Sequence, residues 1–334
     1  MNALRLGTRR SNLATTQSDW VADLLRTRGH EVKLAEVVTE GDVNLAPLTQ
    51  IGGTGVFASA LRAALRAGEV DFAVHSLKDL PVAPEPGLVI AAIPPREDPR
   101  DVLVTSQGRT LADLPAGAKV GTGSPRRAAQ LHRARPDLQI HPIRGNVERR
   151  IAQVVEGPLD AVILAGAGLR RLGRERDISE YIDLAIMLPA AGQGALAVEC
   201  REDDERMRGV LAALDDATTR AAVSAERALL GYLEAGCTAP IGAYATVGEQ
   251  IELEGFIGGV QDDSGIRLSA HGPAADPAAV GQALARRMIA AGADRLGDAG
   301  RSPQGPSHLP PRTTGGTRRD DANAHAQTHQ EHHP

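Results

Sequence analysis

The stretch LEAGCTAPIGAY, residues 233–244, carries one of only two cysteines in 334 residues. Gly236 permits close approach to the Cys237 thiol, and Pro240 shapes a loop just after a helix. A thiol in such a loop can be a nucleophile or an attachment point, or else a small buried hydrophobe. A second group lies in VDFAVHSLKDLP, which puts His75, Ser76, Lys78 and Asp79 at the end of a buried strand. A carboxylate beside an ammonium group there can move protons or stabilise a cation. It can equally close a turn, with Lys78 in solvent.

Arginine is the dominant signal. Arg126 and Arg127 follow GTGS in the first turn of an expected helix, so free backbone N–H groups, the Ser124 hydroxyl, Thr122 and two guanidinium groups converge on a carboxylate or phosphate site. Arg144, Arg149 and Arg150 lie in IRGNVERR, Arg170 and Arg171 end GAGLRR, and Arg9, Arg10 and Ser11 follow the first strand. Taken singly, an arginine at a helix start is more often solvated or paired with Asp or Glu. Recurrence at several strand ends, where open α/β sheets bind ligands, points to a polyanion in a cleft. IGGTGVF lacks the G-K-[ST] ending of a nucleotide loop.

The elements that must position these groups alternate. LRLGT, EVKLAEVV and VDFAVHS read as strands, and NLATTQSDWVADLLRTRG and GVFASALRAALRAG as helices ended by Gly29 and Gly68. This β-α-β-α-β order implies a mostly parallel sheet. Pro94, Pro95 and Pro99 precede a second such region: strands DVLVT, AKVGTG, DLQIHPI and DAVILA, the last running into turns, with helices in SPRRAAQLHRAR and NVERRIAQVVEG. Ser124 is the expected cap of the first of these helices, with Pro125 in its first turn. After LPAAGQGALAVECR two helices, an antiparallel meander and a closing helix are expected. The histidine-containing segment 298–334 reads as a disordered tail.

A composition of 42% hydrophobic and 24% charged residues supports a sizeable core, and a net charge of −5 gives no global reason to expect nucleic acid. Cys200, at the end of ALAVEC, keeps the buried reading, and two cysteines make no disulfide framework. MNALRLGTRRSNLATT shows no apolar export region, and no run approaches the roughly 18 apolar residues of a membrane span. A reducing cytoplasm is the expected setting.

TRRSNLA, VTEGD, VHSLKDLP, REDPRD, VGTGSPRR, RGNVERR, ILAGAGLRRLG, LPAAGQGALAVECR and AERALLGYLEAGCTAPIGAY, in this order over about 5–293, resemble the porphobilinogen deaminase (hydroxymethylbilane synthase) family. The resemblance implies an α/β fold of three domains: two lobes like type II periplasmic binding proteins, with mixed, mostly parallel sheets, and a smaller α+β domain with an antiparallel sheet. The implied boundaries are 1–94 with 195–212, 100–188 and 217–297. It implies a transferase that condenses four porphobilinogen molecules into hydroxymethylbilane with loss of ammonia, acting as a monomer. Cys237 matches the thioether attachment point of a covalent dipyrromethane cofactor, and Asp79 the catalytic aspartate. Arg9, Ser11, Thr122, Ser124, Arg126, Arg127, Arg144, Arg150 and Arg171 match positions that bind cofactor or substrate carboxylates. Lys78 matches a cofactor contact, and Phe57 an aromatic of the active-site loop. Gln50 and Thr54 stand where family members often carry lysines, and Arg149 where a threonine is usual. A non-catalytic two-lobed binding protein for an organic anion would use the same lobes and arginines, but it gives no role to Cys237 or Asp79.

Overall fold

The computed structural model describes residues 3–37, 56–233, 240–259 and 264–297, all within one unit spanning Met1–Gly300. The described strands sort into three sheets. Gln50, Thr54, Cys237 and the segment 298–334 lie outside the described residues.

The first sheet holds β1 (Leu4–Thr8), β2 (Val32–Glu36), β3 (Phe72–Ser76), β4 (Leu88–Ala92) and β10 (Leu196–Arg201), in the order β2-β1-β3-β10-β4. β1 pairs in parallel with β2 and β3, and β10 runs antiparallel between β3 and β4. Helix α1 (Asn12–Arg26) is capped by Ser11, whose side chain accepts from Ala14 N at 3.3 Å. It buries Gln17, Ser18, Val21, Ala22 and Leu25, the one-sided spacing of a surface helix. Helix α2 (Val56–Arg66) covers the strands through Leu61 and Leu65.

The second sheet holds β5 (Asp101–Thr105), β6 (Lys119–Gly121), β7 (Gln139–His141), β8 (Ala161–Ala165) and β9 (Glu180–Tyr181), in the order β7-β6-β8-β5-β9. β6 pairs in parallel with β7 and β8, and β5 runs antiparallel to β8 and β9. In each sheet a single strand is reversed, so the expected mixed, mostly parallel architecture is what forms. Helices α3 (Pro125–Ala134), α4 (Val147–Val155) and α5 (Gly166–Arg171) belong to this sheet, with Ser124 capping α3 as expected.

The third sheet is the antiparallel meander β11 (Ile241–Val247), β12 (Ile251–Gly258) and β13 (Gly265–Gly272). After α6 (Glu205–Ala212), helices α7 (Ala217–Tyr232) and α8 (Pro277–Ala290) close it over Leu229, Leu253, Leu284 and Met288, and α9 (Ala293–Gly297) follows. The chain therefore passes from the first sheet to the second through 93–100 and returns through 182–195. No helix among the described residues is long and apolar enough to cross a membrane.

Two short strands, β4 and β9, were not expected, and GAGLRR forms a helix instead of a turn. Gly166 is the reason for the last: a Cβ there would meet Val102 Cγ1 at 3.0 Å, so the glycine lets α5 start directly against β5.

Candidate active site

β3 delivers Leu77, Lys78 and Asp79 as a short 3-10 turn. Leu77 is fully buried and anchors that turn. Asp79 is exposed, and no hydrogen bond among the described residues engages its carboxylate. Lys78 is half-buried and donates to Gln193 Oε1 at 3.2 Å. Burial pulls its ammonium down to about 8; Asp79 and Asp101 offset part of that, while Arg127 and Arg126 reinforce it. The solvent-facing alternative for Lys78 is therefore not what forms.

Across from this turn, the first residue of β5 is a carboxylate with no solvent exposure. Asp101 Oδ2 accepts from Arg126 Nη1 at 2.6 Å, and Oδ1 accepts from Arg127 Nε at 2.9 Å and Nη2 at 2.8 Å. Arg126 also donates to Leu188 O, and Arg127 to Ile163 O. Burial alone would raise the Asp101 carboxyl; the two guanidinium charges overcome it and hold the group well below the usual carboxylate range. Both arginines are buried, at 4% and 5% exposure, so they form a charged layer beneath the site and do not stand open in it. Two cations on one anion leave that layer a net positive charge.

Arg150, on α4, is half-buried and donates Nε to Gly145 O at 2.9 Å. Burial lowers its pKa, the charges of Arg127 and Arg144 lower it further, and Asp79 offsets part of this. Arg171, at the end of α5, donates to Gly194 O at 2.7 Å, and burial pulls it down to about 10. Desolvated cations of this kind are held ready for an anion. Thr122 is buried and accepts from Ser124 N at 3.2 Å, fixing the entry to α3. Arg9 lies half-buried beside the α1 cap, and Asn12 in the first turn of α1 reaches Glu148 of α4 at 3.1 Å, which brings that end of α1 against the second sheet. Arg144 is exposed. Phe57 falls in α2, with its side chain outside the described residues. His75 stays in the sheet, its Nε2 3.2 Å from the buried Glu199, apart from the cationic cluster.

The return segment joins these parts. Gly192 and Gly194 adopt φ of +75° and +87°, the left-handed region that favours glycine. A Cβ on Gly194 would lie 2.3 Å from Glu97 O. We expect Gly194→Ala to lose about 2 kcal/mol or more of stability, read as a lower urea midpoint at unchanged slope. Asp101 and Gln193 were not singled out by sequence reasoning. Both lie in stretches that carry the family resemblance, Asp101 ending REDPRD and Gln193 within LPAAGQGALAVECR, and the local signal for Asp101 was a charged residue opening an otherwise apolar strand, DVLVT.

Lys78, following the first sheet's β3, and Arg150, on α4 of the second, both lie within reach of the charge of exposed Asp79, so the fold is an α/β protein that brings cations from two sheets to one open carboxylate. Residues 4–209 match the family described as "Porphobilinogen deaminase, dipyromethane cofactor binding domain", and residues 220–290 match "Porphobilinogen deaminase, C-terminal domain". Porphobilinogen deaminase 1 of Streptomyces coelicolor is 53% identical over 310 residues, covering 88% of this chain and 97% of the relative. Porphobilinogen deaminase of Acidothermus cellulolyticus is 50% identical over 325 residues, covering 96% of this chain and 98% of the relative. This chain belongs to the porphobilinogen deaminase family. Among solved structures, a putative methionine-binding lipoprotein from Bacillus subtilis aligns at 13% identity with a TM-score of 0.39, over 64% of this chain and 89% of that one.

Proposed function

We propose that this chain is a transferase that condenses four porphobilinogen molecules head-to-tail into linear hydroxymethylbilane, releasing ammonia at each condensation, as a cytoplasmic monomer of tetrapyrrole (haem) biosynthesis. Family membership supports the reaction. The structural observation that carries the reading is the meeting of Lys78 and Arg150 with Asp79 and the Arg126–Arg127–Asp101 layer.

The donor set suits a dipyrromethane, whose two rings each carry an acetate and a propionate. Of the two thiols, Cys200 is wholly buried in the first sheet's core and burial pushes it up to about 11, which supports Cys237 as the attachment point. A dipyrromethane on Cys237 supplies the primer whose terminal α-carbon is the nucleophile.

The chain's own residues do the rest. Arg9, Ser11, Thr122, Ser124, Arg144, Arg150 and Arg171 take carboxylates, and planar guanidinium groups fix ring orientation through paired hydrogen bonds. Arg126 and Arg127 add positive charge from beneath. Asp79, exposed at the end of its turn, stabilises the positive charge that develops on a substrate pyrrole nitrogen and carries a proton on its carboxylate. Phe57, at the start of α2, is the counterpart of the family's active-site-loop aromatic. The three sheets act as three domains, 1–94 with 195–212, 100–188 and 217–297, whose relative motion accommodates a lengthening product.

Intact mass of the purified protein, before and after adding porphobilinogen, tests this. We expect a two-pyrrole adduct on Cys237, then stepwise additions up to four further units. An unmodified thiol and no additions, in protein from a haem-competent host, would support the anion-binding alternative instead.

A further inference from the structure

Gln193 is 1% exposed, and both ends of its carboxamide are engaged. Oε1 accepts from Lys78 Nζ at 3.2 Å. Nε2 donates to Asp101 Oδ1 at 2.9 Å and to Pro99 O at 2.7 Å. The backbone around it is pinned as well: Gln193 O accepts from Arg96 Nε at 2.8 Å, Gly192 N donates to the buried Glu226 at 2.7 Å, and Gly194 O accepts from Arg171. One planar amide thus meets a cation from the first sheet with its acceptor and an anion from the second with its donor.

We propose that Gln193 is a positioning residue for the reaction, its carboxamide locking Lys78 to Asp101 so that the ammonium faces the substrate carboxylates while the Arg126–Arg127 pair is held in the buried layer beneath it. The inference rests on the substrate reading above. The chemistry selects glutamine. Leucine would leave Lys78 without this acceptor and Asp101 without one donor. Glutamate would keep an acceptor for Lys78 but set a second buried carboxylate against Asp101. Asparagine is one methylene too short to span both.

The test compares full-length wild type with Gln193→Leu and Gln193→Glu. Competitive acetylation of Lys78 across pH, read by peptide mass, reports its titration without substrate. The charged groups around Lys78 are Asp79, Asp101, Arg126 and Arg127, and all are kept in both variants. A hydrogen bond to the charged form raises an amine's pKa, so its loss lowers it. We expect the Lys78 midpoint in Gln193→Leu to fall roughly one unit below the wild-type value, with KM for porphobilinogen raised roughly tenfold and kcat changed far less. In Gln193→Glu the midpoint rises above wild type, while KM stays raised because the added carboxylate repels Asp101 and breaks the bridge. Should Gln193→Leu fail to fold, the raised KM of Gln193→Glu with its raised midpoint decides. A Lys78 midpoint unmoved in the folded variants, or a loss confined to kcat with KM unchanged, overturns the proposal. A wild-type chain that carries no adduct and turns over no porphobilinogen overturns the functional reading instead, and the Lys78 titration stays readable in that case.

Discussion

Asp79→Asn yields a folded protein that keeps its covalent pyrrole adduct and consumes porphobilinogen about 10³-fold more slowly than wild type, the scale of a lost general acid–base and electrostatic group. The expectation comes from how the side chain is held. Asp79 ends a turn anchored by buried Leu77, and it is exposed. Its carboxylate supports no other part of the described structure through a hydrogen bond, so the near-isosteric amide costs little stability. It removes a negative charge that acts on both Lys78 and Arg150, because Asp79 raises the pKa of both. Two readouts should therefore move together. Turnover falls, and the Lys78 midpoint drops below about 8 as its favourable neighbour disappears. Turnover within tenfold of wild type would remove Asp79 from the chemistry, whatever the thermal stability shows.

The parts of this site that were legible in the sequence are those fixed by local physics. Ser124 caps α3 and Pro125 enters its first turn because cap geometry depends only on neighbouring residues. Strand ends could be placed because β1, β3 and β8 are bounded by polar or glycine-rich turns. What could not be read is pairing across long separations. Gln193 contacts Lys78 from 115 residues away and Asp101 from 92, through a crossover that no periodicity announces. The same holds for Arg126 and Arg127. Each of two local readings, pairing with a carboxylate or facing a ligand, was reasonable from the helix start. Only the placement of β5 beside β8, under the first turn of α3, brings Asp101 to them. β10 entering between β3 and β4 is similarly invisible to local pattern, since LAVEC, apolar but for Glu199, does not name its neighbours.

The largest stability effect should come from Asp101. Its carboxylate is fully buried and is the shared counter-charge of two guanidinium groups that are themselves buried. Asp101→Asn keeps the shape but leaves both cations without a counter-charge, and removing one partner of a buried pair typically costs about 3–5 kcal/mol. Arg126 is already destabilised as a cation by burial and by Arg127, with Asp101 as the main offset. The pH dependence follows from the direction of the shift. The Asp101 pKa is depressed in the folded state, so its contribution is fully present above the unfolded value of about 4. It is lost as pH falls through the folded value. Urea unfolding of wild type and variant should then differ by a constant amount from pH 5 to 8, and the difference should begin to shrink as pH falls below about 4. A double variant that also carries Arg127→Met should lose less than the sum of the single losses, because the second change removes one of the cations left unpaired by the first. A strictly additive double variant, or Asp101→Asn within about 1 kcal/mol of wild type at neutral pH, would mean that the charged layer under the site does not depend on this carboxylate.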